Sequence, residues 1–528
     1  MYRFLALVLL TPLAARAQGP DLYFAVEAVE VARQNVPALH SGAAAQHGGR
    51  WLFLAGRTNG IHGLIPGEDP FPPAAANAEA VVYDPATDQR WAAPLDGLPA
   101  AVREPLEALN VQYHQDGETL YVVGGYGYSA AAGGYVTFGT LTAVDVPGLI
   151  DAVIGGTALA PHLRQLADDR LRVTGGHLVR LGDRYYLAGG QRFDGAYLGA
   201  FEQEYTEAVR AFRIVDDGAT LALADYAETA DAARLHRRDG NVGPVVRPDG
   251  TPAFALYGGV FTPSSPPLPY RTPVTFDDAG LDEGAFEARF GHYTTALLPI
   301  YDAAHASMHT VFFGGMGQFW LDEADGVVKQ DNLVPFIDDV AVLSVGADGA
   351  AGERLLDPLP GYLGTNSYVF LDPAAPVTEH GVIELDRLEG RTRVGFFVGG
   401  IAADTQHPGW MPVSGTSWAS DRLFALYVTP LPTPAVEGGR PAGFAVALAG
   451  PNPFREATRL AVTIDAPDDL EVAVFDAVGR RVALLHAGPL AAGPHVFEVD
   501  GARLPSGVYV VRVTGTRGAA AERLVRLR

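Results

Sequence analysis

Cysteine is absent from this sequence of 528 residues, so disulfides, thiolate metal sites and cysteine nucleophiles are excluded. Neither a His-Glu-x-x-His zinc motif nor a Gly-x-Ser-x-Gly nucleophile elbow occurs. Beyond the first few residues there is no run of about 18 apolar residues, the length that a membrane-spanning helix needs. We therefore predict a chain with no metal site, no cofactor and no membrane span.

Basic residues are few in this chain. There are 38 Lys and Arg residues against 61 Asp and Glu residues, which gives a formal net charge of −23 at pH 7, and Lys329 is the single lysine. A negative field of this kind repels phosphate groups. Binding to nucleic acid or to an anionic membrane surface is therefore disfavoured.

The first 17 residues have the features of a cleaved secretory signal. Arg3 supplies a positive charge, an apolar stretch runs from Phe4 to Leu13, and the small residues Ala15 and Ala17 precede Gln18. The apolar stretch is too short to be a membrane anchor. We expect residues 1–17 to be removed near Ala17, and the mature protein to be secreted or placed on the outer cell surface.

A short apolar or aromatic run that ends in Gly-Gly or Ala-Gly occurs six times, at intervals of roughly 55 to 85 residues. The runs end at Ala55-Gly56, Gly124-Gly125, Gly189-Gly190, Gly258-Gly259, Gly314-Gly315 and Gly399-Gly400. A second strand-like segment and a turn precede each run, as at 110–114 and 115–118 before the strand 119–123, which indicates a hairpin. The recurring unit predicts a repeat protein.

A third strand follows the first run at 80–91, with a Pro/Asp turn between Tyr83 and Trp91. Weaker third strands are predicted at 141–146, 208–215, 340–345 and 423–428. Paired glycines followed by a tyrosine and a tryptophan resemble the kelch family, over most of residues 24–430. The resemblance implies a six-bladed β-propeller of four-stranded sheets. Tyr23–Ala32 is expected to join the last blade, because a circular array must hide its two ends. The alternative is an open array or a sandwich.

A Pro/Gly-rich linker at 431–440 separates the repeat region, 18–430, from a tail at 441–528. Short alternating segments in the tail predict a small β-sandwich, so the whole fold is predicted to be all-β. The tail motifs resemble the type A C-terminal sorting domain of the bacterial type IX secretion system. Their residues are Pro451, Asn452, Pro453, Asp476, Gly479, Arg480, Gly507 and Tyr509. The resemblance implies passage through the periplasm and export by the type IX machinery.

Residues just after each Gly-Gly pair and just before each first strand are expected at one end of the sheets, because successive antiparallel strands reverse direction. The ligand-site candidates at this channel mouth are Arg57, His62, Tyr126, Gln191, His236, Arg237, Arg238, Asn241 and His292. Arginines suit carboxylates and aromatic rings suit sugars, so these residue types favour a carbohydrate or an acidic ligand. The alternative is that the arginines make ion pairs and packing contacts between repeats.

These features predict a secreted or cell-surface module that binds a glycan or a surface protein. One alternative is an extracellular carbohydrate-active enzyme, with His62, His236 and His292 as acid–base candidates beside Arg237 and Arg238. A second alternative is a structural component of the cell surface. The fold does not decide between them, because propellers host binding, catalysis and scaffolding alike.

Overall fold

The computed structural model describes residues 19–63, 69–291, 293–322, 324–408, 416–431, 444–452, 454–476 and 481–526. The predicted signal at 1–17, most of the linker at 431–440 and the candidate His292 lie outside these residues. The fold is all-β, as expected, and consists of many small, mainly antiparallel sheets. No helix in the described part of the chain is long and apolar enough to cross a membrane.

Six sheets, each with four antiparallel strands in sequential order, occupy residues 24–430. Sheet 1 contains Ala43–His47, Arg50–Leu54, Glu79–Asp84 and Gln89–Pro94. Sheet 2 contains Gln112–Asp116, Thr119–Val123, Thr140–Asp145 and Leu163–Ala167. Sheet 3 contains His177–Leu181, Arg184–Ala188, Ala208–Asp216 and Leu221–Ala230.

The other three sheets repeat this arrangement. Sheet 4 contains Asn241–Val246, Pro252–Tyr257, Val274–Asp277 and Gly280–Glu283. Sheet 5 contains Ala296–Asp302, Ser307–Phe313, Val340–Val345 and Ala351–Leu355, with the short parallel strand Ile383–Glu384 added at its edge. Sheet 6 contains Tyr368–Leu371, Thr392–Val398, Leu423–Pro430 and, as its fourth strand, Phe24–Glu30.

Sheet 6 joins the two ends of this region. Phe24–Glu30 pairs antiparallel with Leu423–Pro430 along its whole length. This is the pairing expected for Tyr23–Ala32. The added strand is also held by Arg391, whose Nε lies 2.9 Å from Glu27 Oε1.

The Gly-Gly corners share one backbone geometry. Both residues of every pair have φ between 59° and 92°, a range that glycine adopts without strain, and Ala55 is the one non-glycine among them. The second residue donates its N–H to a carbonyl of the next sheet at 2.7–2.8 Å: Gly56 to Ala108, Gly125 to Val173, Gly190 to Arg237 and Gly315 to Leu363. Gly400 donates to Leu39, just before sheet 1, at 2.9 Å, so sheet 6 is bonded back to sheet 1.

Neighbouring sheets also share their apolar cores. Five apolar clusters join sheets 1 to 6 in order. Each contains residues of two neighbouring sheets: Leu52 and Val122, Val123 and Leu187, Tyr186 and Phe254, Ala255 and Phe312, and Val311 and Phe397. Trp51 of sheet 1 stacks on Phe370 of sheet 6, with ring centroids 4.3 Å apart. Each sheet is therefore packed against two others.

The connections between second and third strands carry additional strands. Two-stranded hairpins are formed by Tyr126–Ser129 with Gly134–Thr137, Gln191–Gly195 with Phe201–Tyr205, and Phe319–Asp322 with Val327–Gln330. A three-stranded sheet is formed by Tyr362–Thr365, Ile401–Ala403 and Ser417–Ala419. These connections all follow Gly-Gly corners or precede first strands, and so lie at one end of the six sheets.

The helix Val146–Gly155 was not predicted from the sequence. The preceding strand ends at Asp145, one residue earlier than expected, and the Asp145 carboxylate caps the helix by accepting a hydrogen bond from Gly148 N at 3.3 Å. Leu149 and Ile150 pack into the core shared by sheets 1 and 2. Shorter helices are Ala100–Arg103 and Ala232–Leu235, with 3-10 turns at Pro73–Ala75, Glu104–Glu107, Ala160–His162, Asp169–Leu171, Leu385–Arg387 and Gly501–Arg503.

The tail has two sheets around one core. Sheet 7 contains Phe444–Leu448, Ala457–Ile464 and Gly493–Asp500. Sheet 8 contains Asp468–Asp476, Arg481–Leu490, Gly507–Gly515 and Gly518–Arg526. Alternate residues face inward, and Leu460, Val472 and Val511 are fully buried in one cluster.

Candidate functional site

One residue just before the first strand of each sheet belongs to a ring of backbone hydrogen bonds, which we call the floor ring. Its members are Ser41, Asn110, Gly175, Asp239, Thr294 and Asn366. Five backbone hydrogen bonds of 2.7–3.1 Å join these six residues in series: the N–H of each member from Asn110 to Asn366 donates to the carbonyl of the member before it. All except Thr294 have positive φ. Ser41, Asn110, Asp239 and Asn366 line a cavity to which all six sheets contribute.

Two further residues of each sheet stand next to the floor ring. Bridges join His40 to Arg57, Leu109 to Tyr126, Thr174 to Gln191, Arg238 to Val260 and Thr365 to Ile401, and Tyr293 N donates to Met316 O at 3.2 Å. The residues that follow the corners of sheets 1 to 3 are polar: Arg57, Tyr126 and Gln191. Their counterparts in sheets 4 to 6 are apolar: Val260, Met316 and Ile401. The residues after the corners thus change from polar to apolar between sheets 3 and 4, while Arg238, Asp239 and Thr365 add polar groups to the cavity from sheets 4 and 6.

The cavity measures about 60 Å³ and is partly open to solvent. Pockets that bury a whole small molecule measure roughly 300–1,000 Å³. The cavity therefore has room for one functional group, such as a carboxylate. The remainder of a ligand would lie outside it.

Arg57 is a buried cation in this cavity, with 4% of the residue exposed. Its Nε donates to Asn59 Oδ1 and its Nη2 to Pro72 O, both at 3.0 Å, and its guanidinium carbon lies 5.5 Å from the centre of the Phe71 ring. Burial lowers the pKa of Arg57 to about 10, so it stays charged at pH 7. Because these partners are neutral, the charge of Arg57 is available to an anion.

Arg238 is the second cation of the cavity and forms an ion pair with Asp239 of the floor ring. Burial disfavours its charge, but Asp239 and the phenol of Tyr293 raise the pKa of Arg238 well above the usual value. Its Nε is buried with no hydrogen-bond partner among the described residues. The two guanidinium groups thus meet two carboxylates, since Asp239 pairs with Arg238 and Asp69 acts on Arg57 at longer range.

Two neutral histidines, His40 and His62, also line the cavity. Burial lowers the pKa of His40 to about 3, and burial together with the charge of Arg238 lowers the pKa of His62 to about 4. His40 Nδ1 lies 2.8 Å from Ser41 Oγ, and its Nε2 lies 2.9 Å from Asn59 O. His62 Nδ1 is buried with no partner in the described part of the chain. His62 therefore offers a neutral hydrogen-bonding group rather than a charge.

Aromatic side chains from the connections of sheets 1 to 3 pack together beside the polar residues, and we call them the aromatic cluster. They are Phe71, Tyr126, Tyr135, Phe193 and Tyr197. Tyr126 lies at its middle, with its ring centroid 5.7 Å from Phe71, 5.4 Å from Phe193 and 5.4 Å from Tyr135. Phe193 contacts Tyr197 at 5.4 Å. The cluster forms a rigid apolar surface next to the two arginines.

The candidates Arg57, His62, Tyr126, Gln191 and Arg238 line the cavity. Arg237 does not, although it is adjacent to Arg238. It is 1% exposed, donates to Gly258 O at 3.2 Å and Thr272 O at 2.8 Å, and stacks on Tyr270 at 4.1 Å. Its contacts hold the long connection of sheet 4 in place.

His236 and Asn241 also have other partners. His236 Nδ1 lies 2.6 Å from Glu207 Oε1, outside the cavity lining. Asn241 is buried and donates to Gly291 O at 2.9 Å, which ties sheet 4 to the segment before sheet 5. His292 lies outside the described residues.

The floor ring and its neighbours His40 and Thr365 were not identified from the sequence. A signal exists for half of the ring, because Ser41, Asn110 and Gly175 each stand fifteen residues before the second residue of a Gly-Gly corner. Serine, asparagine and glycine favour turns with positive φ. Longer loops within sheets 4 to 6 break this spacing.

Residues of the predicted sorting motif hold the tail together. Asn452 Nδ2 donates to Arg523 O at 2.8 Å, and Asn452 Oδ1 accepts from Val525 N at 2.7 Å. Tyr509 is buried and donates to Pro505 O at 2.6 Å. Pro451, Asp476 and Gly507 stand at turns or strand ends, and Pro453, Gly479 and Arg480 lie outside the described residues.

Within the described ranges, no group of three or more His, Asp or Glu residues is placed to hold a metal ion. What the cavity offers is guanidinium, imidazole, amide and hydroxyl groups beside aromatic rings. Such a set of donors suits an anionic or hydroxyl-rich ligand.

Comparisons with known proteins identify no family for this chain. No family model matches the sequence, and no curated protein matches it. Among solved structures, the structure of YjhT is similar at 14% sequence identity with a TM-score of 0.26, covering 60% of this chain and 97% of that chain. This likeness is too weak to carry an argument about either fold or function.

Proposed function

We propose that sheets 1 to 6 are the blades of a kelch-type, six-bladed β-propeller, and that sheets 7 and 8 form a small β-sandwich. Three features support the propeller. Each sheet has four sequential antiparallel strands, neighbouring sheets share cores in order, and sheet 6 is bonded and packed back onto sheet 1. The shared core of the tail supports the sandwich.

We further propose that the protein is an extracellular recognition module that binds its ligand through a carboxylate. The observation that carries this proposal is Arg57, a buried cation that donates hydrogen bonds to an amide and a carbonyl, lies over an aromatic ring, and meets the Asp69 carboxylate only at longer range. Arg238 stands at the same cavity with its Nε unpartnered. A carboxylate fits the cavity and accepts the planar fork of an arginine.

The binding proposal is tested by calorimetric titration of the mature full chain with small acidic sugars, namely glucuronate, galacturonate and gluconate. Binding of at least one is expected. Arg57→Gln and Arg238→Gln should each weaken it roughly 10- to 100-fold, because a hydrogen bond to a charged group contributes about 1.5–3 kcal/mol.

Arg391→Gln is the matched control, because Arg391 is an exposed arginine that pairs with Glu27 far along sheet 6. It should bind as the wild type does. Failure of all three sugars to bind, or equal losses in the control, would contradict the proposal. Mass spectrometry of the same mixtures tests the alternative of a carbohydrate-active enzyme, since binding without new products is the expected result.

We propose that the tail directs the protein through the periplasm and out of the cell by the type IX secretion machinery. Support comes from the order of the tail motifs and from the signal-like residues 1–17. Deletion of residues 441–528 should leave the protein in the periplasm, as measured by cell fractionation and immunoblotting. Export of the shortened protein at the wild-type level would contradict this assignment.

A further inference from the structure

Two exposed aromatic side chains stand at the outer end of the aromatic cluster. Tyr128 is 47% exposed and Phe201 is 49% exposed. They belong to different hairpins, Tyr126–Ser129 with Gly134–Thr137 and Gln191–Gly195 with Phe201–Tyr205. Both hairpins directly follow Gly-Gly corners, so both rings stand at the same end of the sheets as the cavity.

Ring contacts connect both exposed side chains to the cavity. Tyr126, in the cavity lining, stacks on Tyr135 at 5.4 Å, and Tyr135 contacts Tyr128 edge to face at 5.7 Å. Phe193, also in the lining, stacks on Phe201 at 4.8 Å. One face of Phe201 is thus covered while much of the ring remains in solvent. A series of ring contacts thus leads from the cavity lining to each of the two exposed side chains.

The surroundings of these rings are polar. In the strand Phe201–Tyr205, Glu202, Gln203 and Glu204 are all exposed. The rings are therefore separate flat faces among hydrogen-bonding groups, unlike the broad apolar patch of a typical protein interface. A pyranose ring fits such a surface, because it has C–H groups on its faces and hydroxyls at its edge. Aromatic faces attract the weakly positive hydrogens of these C–H groups.

We propose that the ligand is an oligosaccharide with one acidic end unit, an assignment that rests on the proposed carboxylate site. The acidic unit places its carboxylate between Arg57 and Arg238. The following units are uncharged and stack on Tyr128 and Phe201. Charge argues against a polyanionic chain, because Glu202 and Glu204 border this path and the protein has a net charge of −23.

The test compares ligand length on the mature full chain by calorimetric titration. The probes are glucuronate and a trisaccharide of two glucose units with glucuronate at its non-reducing end. The trisaccharide should bind roughly 10-fold more tightly than glucuronate. Tyr128→Ala and Phe201→Ala should each weaken trisaccharide binding roughly 3- to 10-fold, the range expected of aromatic contacts, and should change glucuronate binding less than about 2-fold.

Val215→Ala is the control. Val215 is 49% exposed and lies at the end of the strand Ala208–Asp216 that is far from the Gly-Gly corner of sheet 3. It should bind the trisaccharide as the wild type does. Because all three side chains are exposed, thermal unfolding should be unchanged and a binding loss cannot be ascribed to misfolding.

The outcomes separate the two proposals. If glucuronate binds but the trisaccharide binds no more tightly, or if Val215→Ala loses as much as the other two variants, the oligosaccharide assignment is overturned while the carboxylate site stands. If neither probe binds, the carboxylate site fails. Length-dependent binding that is lost only in Tyr128→Ala and Phe201→Ala supports the assignment.

Discussion

Arg57 and His40 are bridged neighbours in the cavity wall, and burial affects their charges differently. The pKa of Arg57 falls to about 10, so this side chain stays charged at neutral pH. The pKa of His40 falls to about 3, so the imidazole is neutral. The cavity charge therefore comes from the arginines and Asp239, and not from the histidines.

The low pKa of His40 predicts acid sensitivity of the fold. Below pH 6.5 an unfolded chain protonates this histidine while the folded protein keeps it neutral, so the unfolded state binds more protons and stability falls as pH decreases. Between pH 6.5 and 5 the loss from this one group is roughly 2 kcal/mol. In urea denaturation His40→Gln should start less stable at pH 7.5, because it loses contacts to Ser41 and Asn59, but should lose less stability on acidification. Parallel pH profiles for the two proteins would contradict the assignment.

Sequence reasoning located Arg238 in the site but also included Arg237. Adjacent residues of an extended backbone point to opposite sides, and the composition of the cluster does not say which side faces the cavity. The bridge between Arg238 and Val260 accompanies a side chain that lines the cavity, whereas the contacts of Arg237 with Gly258 and Thr272 hold its side chain away from the cavity.

At the scale of secondary-structure elements, the Gly-Gly corner is the feature that each sheet repeats. The corner turns the chain with two positive φ angles and brings its backbone against the next sheet. This requirement explains why the glycines recur, and why the strands before them, such as Thr119–Val123, were predicted with correct bounds.

The corner predicts different effects on stability for two substitutions. In Gly124→Ala the added Cβ would lie 2.1 Å from Val173 O, and φ is 65°. Backbone strain costs about 1–2 kcal/mol and the clash adds to it, so a loss of at least about 2 kcal/mol in the free energy of unfolding is expected. Ala55→Gly relieves strain of about 1 kcal/mol but removes a buried methyl group that contributes about 0.8 kcal/mol, so it should be nearly neutral.

Urea denaturation of both variants measures these changes. A harmless Gly124→Ala substitution would show that the corner does not need glycine, and a large loss in Ala55→Gly would show that packing of the methyl group dominates there.

Elements outside the repeat were harder to predict. The helix Val146–Gly155 follows a strand directly, so its apolar residues read as a continuation of that strand. Asp145 as a cap and Gly156 at the end are the signals that mark it. Ser417–Ala419 is a strand that its local sequence does not indicate, because its partner Ile401–Ala403 lies elsewhere in the sequence.

At the scale of the whole molecule, the site exists only when six sheets meet. The repeat count and the pairing of Phe24–Glu30 with Leu423–Pro430 followed from sequence pattern. The size of the cavity did not, because it depends on the floor ring, whose members are far apart in the sequence and are joined in series by backbone hydrogen bonds from Ser41 to Asn366. The cavity is therefore a property of the six sheets together.

The most direct test of the carboxylate site is calorimetric titration of the mature protein with glucuronate and with its methyl ester. The two ligands share shape and hydroxyl groups and differ in charge. Glucuronate should bind at least roughly 10-fold more tightly than the ester, since a charge-assisted hydrogen bond is lost, and Arg57→Gln should remove most of this difference. Equal affinity for acid and ester, or the same preference in Arg57→Gln, would contradict the account.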